Sequence, residues 1–541
     1  QPLKGDFAIE VDTADGDDSI TITSFAEGYI GGLNLTAEQI TINSGVSVGT
    51  DATKVGNVEL NATAGSNTTR TASASVVIDG SIYASGKVLV SADTVAGVQS
   101  STDVIAVADF DIVATANVSV GEGSTITGNA ISLVAATHVD VDIDVANAVA
   151  ASSVGDVTTT TTVTIGAGAT VSAGEGDLDG DAANGNQSVL ISATTDTDID
   201  VSLTTLSAAD FYNDPLLTDA GGNTVVVPTP LSGFDLLIST LDVSRNTSVQ
   251  IAGNAGTNLV DPSDDALSNI NALGLVDISA TSDGDIKNIV TSNFVGAATT
   301  TFDTDITEIV GSYLSSSALG FSMQATSLTQ TQTTGKVAVN EVVDGRTHVG
   351  LANSTVDTFD EIGTSPLSVL AQDQARFYAT STSATLDPSI FSSVDLDYAA
   401  ALNLLDRDTT VVLTETDLTS NNDVSVRANS AVWSVVLAEK MQASGEGVFD
   451  NFNVGAQAFV FGGTLAVNEM NGDVSVTTTN GVLTGDTVTV AAMNNAIFSS
   501  RAEAGQSMSG ASGGAVGISV ALNVLGFEVT SYLALVGIDA L

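Results

Sequence analysis

Cysteine is absent from this chain of 541 residues, which excludes a disulfide framework, thiol chemistry and cysteine-based metal sites. Proline is scarce, with 7 in all, so there is no Pro-rich linker. Aromatics make up 5% and Trp433 is the only tryptophan. That shortage argues against a string of Ig-like sandwiches, each of which would want its own aromatic core, and leaves that fold as the alternative. Basic residues number 13 against 64 acidic ones, a formal net charge of −51. Nucleic-acid binding needs a basic face that releases counterions, so no nucleic-acid partner is expected, and anionic membrane surfaces are disfavoured for the same reason. No transmembrane segment is expected either: the most apolar stretch, Ala515 to Leu525, is too short to span a bilayer and is interrupted by Gly517, Ser519 and Asn523. The opening Gln1-Pro2-Leu3-Lys4-Gly5-Asp6 has no apolar h-region and reads as a mature or internal fragment.

What fills the chain is Val, Ala, Thr, Ser, Gly, Asp and Asn. Hydrophobic residues reach 43%, enough for a buried core, and the abundance of β-branched residues argues against disorder. An acidic surface of this kind attracts cations and stays soluble where salt screens its self-repulsion, which suits a saline or calcium-rich exterior. The dominant local pattern is alternation of β-branched residues with polar ones, as in Val163-Thr164-Ile165, Val424-Ser425-Val426 and Val488-Thr489-Val490, the signature of half-buried strands. In the last two examples each Val should point inward, with Ser425 and Thr489 outward. Helical periodicity is weak, with candidates only at Pro262 to Leu273 and Ile306 to Leu319.

Internal repeats carry the fold class. In residues 1–200 a Gly-punctuated phrase recurs, as in Val76-Val77-Ile78-Asp79-Gly80-Ser81-Ile82 and Val118-Ser119-Val120-Gly121-Glu122-Gly123-Ser124-Thr125-Ile126. Residues 201–330 read as an irregular insert or transition with possible short helices. In residues 331–541, Ala338-Val339-Asn340, Ala401-Leu402-Asn403, Ala466-Val467-Asn468 and Ala521-Leu522-Asn523 recur at 55–65 residues, and the array ends mid-repeat. The expectation is an all-β chain, a parallel β-solenoid (β-helix) built from irregular repeats. With coils of 20–25 residues there would be roughly 22–27 of them, about three per long repeat, stacked over about 105–130 Å. On that spacing the four Asn would not be adjacent and read as equivalent turn residues, with an internal ladder of stacked amides as the alternative.

The Gly/Ala-rich lead-in Gly513-Gly514-Ala515-Val516-Gly517-Ile518-Ser519-Val520-Ala521-Leu522-Asn523 and the Gly-punctuated phrase resemble repeats of giant bacterial surface proteins, the hemolysin-type calcium-binding and filamentous-haemagglutinin-like adhesins. The opening Asp12-Thr13-Ala14-Asp15-Gly16-Asp17-Asp18 looks like a degenerate calcium-binding nonapeptide. The resemblance implies a secreted, cell-surface β-solenoid used in adhesion, biofilm or a surface layer. Tandem Gly-Gly-x-Gly-x-Asp repeats are missing, so a full calcium β-roll is not implied.

Two acidic clusters are candidate Ca²⁺ ligands, because that ion takes several oxygens on a loop that Gly lets turn tightly: Asp12, Asp15, Asp17 and Asp18, and Asp177, Asp179 and Asp181. The plain alternative is a solvated acidic turn. Catalytic signals are thin. His138 and His348 are the only histidines; no Gly-x-Ser-x-Gly or His-Glu-x-x-His accompanies them, and His138 lies in an alternating run as an outward strand residue. The expectation is therefore a non-enzyme: an extracellular structural or adhesive fibre segment whose partners are further copies of itself or cell-surface and matrix polymers. A self-assembling filament, sheath or surface-layer subunit is the alternative, and a polysaccharide-degrading β-helix enzyme the second.

Overall fold

The computed structural model describes residues 9–12, 18–102, 105–148, 150–178, 186–205, 216–218, 224–226, 236–252, 267–292, 332–359, 366–385, 394–442, 459–504, 514–534 and 536–540. The chain winds into two large parallel sheets, and each turn of the coil adds to both. Ten successive coils are visible along the first sheet, from Ile9–Asp12 to Val488–Asn494. The second runs from Ser19–Ile22 to Gly514–Ala534. The one antiparallel pair among the described residues is a small separate one, Leu216–Thr218 with Thr224–Val226. This is the expected all-β parallel solenoid, and parallel pairing of this extent rules out a string of antiparallel sandwiches.

The coils are not of one size. Ile9 pairs with Leu33, Leu33 with Val58 and Val58 with Val88, steps of 24, 25 and 30 residues. The next six steps run through Ile131, Val189, Val276, Leu367 and Val424 to Val488 and take 43, 58, 87, 91, 57 and 64 residues. The expected 20–25-residue coil therefore holds only near the first end, and each long repeat is one coil, not three. Strands lengthen from the 4 residues of Ile9–Asp12 to the 19 of Ala130–Ala148 and the 27 of Gln332–Thr358 and Val394–Ser420, then return to the 21 of Gly514–Ala534. At about 3.3 Å per residue the longest strands reach about 90 Å, against about 13 Å for the first, while nine steps at about 4.8 Å give a stack only about 43 Å tall. The molecule is a fan, wider than it is high.

One corner of the fan recurs in five of the described coils. After its second-sheet strand the chain turns through a left-handed residue: Gly123 and Gly168, both at φ 68°, then Asn353, Glu415 and Asn480 at φ 43°, 51° and 55°. The glycines take that conformation without a Cβ penalty; the later coils impose it on side chains. Beyond this corner the two sheets face one another and share one core, in which Val88, Ile131, Val189, Val276, Leu367 and Val424 stack inward in register. Val424 and Val426 are buried with Ser425 between them half-buried, as alternation requires. In the last coil Val488 and Val490 pack on the core only in part.

Within the span expected to be irregular, Leu236–Ala252, Ser268–Ala272, Leu275–Asp283 and Asp285–Ser292 are strands of the same two sheets. Ser268–Ala272 thereby replaces the end of the first helix candidate: Ser268, Ile270 and Ala272 are buried alternately, a period of two. Ile306 to Leu319 lies outside the described residues.

Candidate functional site

Parallel, in-register stacking turns a recurrence in sequence into a row in space. The four recurrent Asn are direct neighbours: Asn340 pairs with Asn403, Asn403 with Asn468 and Asn468 with Asn523. Each amide Nδ2 donates to the next Oδ1, at 2.9, 3.4 and 3.2 Å. Reading them as turn residues is thus overturned; they form an internal amide ladder. Asn340, Asn403 and Asn468 are fully buried, and the same Nδ2 groups reach the opposite sheet, donating to the carbonyls of Tyr378, Phe377 and Ser499 at 3.0, 3.3 and 2.9 Å. Ser434 joins by donating to Asn468 Oδ1 at 2.6 Å.

Nearer the first end the two sheets are stitched by hydroxyls. Thr161 bonds Thr137 and Thr195, both at 2.7 Å; Thr247 bonds Thr195 at 2.6 Å and Ser282 at 2.9 Å; Thr347 reaches Ser282 at 2.9 Å. The chain of bonds crosses from sheet to sheet at each step. It leads toward a buried charge cluster, in which Arg407 Nη2 donates to Asp373 Oδ1 and Arg245 Nη2 lies 3.9 Å from the same oxygen.

The outer faces carry rows of acid. On the second sheet Asp111 pairs with Asp156, Asp156 with Asp242 and Asp242 with Glu341. On the first, Asp140 stacks on Asp198 and Asp142 on Asp200, which in turn meets Lys287. Carboxylates stacked at strand spacing, about 4.8 Å, hold one another's protons. The Asp242 carboxyl is raised by desolvation first and then by Asp156 and Glu341. Asp200 is raised by desolvation against the opposing pull of Lys287, and Asp196 by desolvation and Asp198. His138 is an outward strand residue, with Nδ1 3.2 Å from Asp196 Oδ2. His348 is buried against Thr410 at 2.8 Å, and burial, with help from Arg346, lowers its pKa to about 4.

Of the candidate calcium ligands, Asp12 ends the strand Ile9–Asp12 and Asp18 directly precedes Ser19–Ile22, while Asp15 and Asp17 lie outside the described residues. Asp177 follows the strand Thr170–Ala173, and Asp179 and Asp181 lie outside the described residues. Among the described residues no three His, Asp or Glu side chains are placed to hold a metal ion, and no helix is long and apolar enough to cross a membrane. The outer rows escaped sequence reading because their members sit 45, 86 and 99 residues apart, with no constant period to betray them. In the comparisons with known proteins, no family model, curated protein or solved structure matches the chain.

Proposed function

We propose that this chain is a load-bearing segment of an extracellular structural or adhesive fibre on a microbial surface. The observation that supports this reading is continuity. Both sheets run through ten coils, and in the later coils interior bonds, Asn on Asn and Thr on Ser, add to the strand pairing along the stacking axis. Such a stack has no inner coil that can detach without breaking strand pairing on both sides. The charge of −51 keeps it soluble and spaced from like neighbours outside a cell.

Single-molecule pulling tests the reading. With the chain held at its two ends, coils should peel one at a time from the last. The first complete steps release 64, 57 and then 91 residues, about 210, 190 and 300 Å at roughly 3.3 Å per residue. A single abrupt rupture, or release at negligible force, would count against a load-bearing role.

A further inference from the structure

The cluster between the sheets contains two guanidinium groups and one carboxylate. Arg245 enters from Leu236–Ala252 and Arg407 from Val394–Ser420. Gly345 occupies the register position between them. Asp373 closes the strand Leu367–Asp373 of the opposite sheet. The side chains are 1%, 2% and 2% exposed. Both guanidiniums lie over the ring of Phe377, with Cζ 5.9 and 5.0 Å from its centroid.

Counting donors exposes an imbalance. Arg245 Nη1 donates to the Asp283 carbonyl at 2.9 Å and Arg407 Nη2 to Asp373. Among the described residues, Arg245 Nε and Nη2 and Arg407 Nε and Nη1 meet no hydrogen-bond partner, nor does the hydroxyl of Ser430, the residue stacked in register on Asp373. Among the fully buried side chains of the cluster two guanidiniums face one carboxylate, with Asp283 and Asp196 acting on Arg245 from nearer the surface. Arginine does not shed its proton in proteins, so neutralisation of one guanidinium is not the remedy. Buried, unpaired charge and buried, unpaired N–H groups are each strongly unfavourable. A single anion accepting from the free guanidinium N–H groups removes both penalties.

We propose that Arg245 and Arg407 hold a small monovalent anion of the chloride type between the two sheets, beside Asp373. Size argues against sulfate or phosphate. A Cβ built on Gly345 would already meet Arg407 Cγ and the Asp406 carbonyl at 2.9 Å, so the packing around Arg407 is tight. The overall field does not draw the anion in, since the chain carries −51; retention rests on the two guanidiniums alone. Burial lowers the pKa of both arginines against the pull of Asp373, and the Arg245 charge lowers Arg407 further, to about 9.

Crystals of the 541-residue chain grown in bromide should give an anomalous bromine peak within hydrogen-bonding reach of both guanidiniums. In solution, chloride should raise the melting temperature above that in gluconate at matched ionic strength, by roughly 2 °C or more. Two variants separate an ion site from a purely structural cluster. Arg245→Met leaves a neutral Arg407–Asp373 pair and should abolish the chloride–gluconate difference. Asp373→Asn removes the competing anion and should enlarge it. Water rather than bromine at the guanidiniums, or equal melting in the two salts, would overturn the proposal; so would variants that shift the difference in the same direction. If either variant fails to fold, the bromide map of the unaltered chain decides alone.

Discussion

Asp242 and His348 respond to protons with opposite signs. The Asp242 carboxyl is raised in the folded chain by burial and by the stacked Asp156 and Glu341. The fold therefore binds this proton more tightly than the unfolded chain does, and the contribution to stability falls as pH rises through the ordinary carboxylate range and above it. Asp196 and Asp200, raised on the other sheet, act in the same sense. His348 is lowered from 6.5 to about 4, so its neutral form is favoured by folding, and stability is lost as pH falls from about 6.5 towards 4. That shift corresponds to up to about 3 kcal/mol. The two contributions therefore oppose each other as pH changes. Asp242→Asn is expected to raise melting at pH 7 and to remove its share of the stability lost on rising pH. His348→Gln should remove the share lost as pH falls from 6.5 towards 4. A profile of melting temperature against pH unmoved by either variant would show that neither residue controls it.

At the scale of strands, the amide ladder and the hydroxyl stitching hold the two sheets in register. Asn403→Ala removes a group bonded on both sides along the stack and leaves the Asn340 donor and the Asn468 acceptor short of a partner. A loss of about 2–4 kcal/mol is expected, read from denaturant midpoints. Asn523→Ala, in the last coil with one ladder neighbour, should cost less than half of that; equal losses would mean that the ladder is not acting as a chain. The Asn period was legible in sequence, but its role was not, because the coil length was taken from ordinary solenoids. The reason lies in the inward residues. In Ala150–Ile165 the buried set includes Ser153, Gly155, Thr159 and Thr161, so the apolar alternation that marks a strand fades where the wide coils begin. Thr161 is satisfied by hydroxyls from the facing sheet, a contact that no local window contains. Gly155 is inward because the Phe110 ring, its register partner, fills the space: a Cβ there would meet the ring at 2.1 Å. Where the inward residues are Val, as in Val424-Ser425-Val426, alternation alone identified strand and face. The acidic rows needed the register itself, which uneven coil lengths conceal.

At the scale of the whole molecule, the described acidic side chains form rows on the two broad outer faces of a chain whose formal charge is −51. Rows such as Asp111, Asp156, Asp242 and Glu341 bring carboxylates to strand spacing, about 4.8 Å, shorter than the Debye length of about 8 Å at physiological salt. Monovalent salt therefore screens one face from the other but leaves much of the repulsion between adjacent coils in place. A divalent cation shared between neighbouring carboxylates acts at the shorter distance. It also suits the clusters Asp12/Asp15/Asp17/Asp18 and Asp177/Asp179/Asp181, where acidic residues crowd around a Gly. A cation that binds only the folded chain adds about 2.7 kcal/mol at a hundredfold excess over its dissociation constant. Millimolar Ca²⁺ is thus expected to raise the melting temperature more than Na⁺ at matched ionic strength. Two sets of substitutions locate the effect. Asp→Asn at Asp177, Asp179 and Asp181 should shrink the difference if the loop is a discrete site. The pair Asp142→Asn and Asp200→Asn should shrink it if the outer rows take up the ion, and should also raise stability in the absence of Ca²⁺ by relieving repulsion between the two coils. Equal shifts with Na⁺ and Ca²⁺ would mean that the acidic side chains are simply solvated and that the faces respond only to ionic strength.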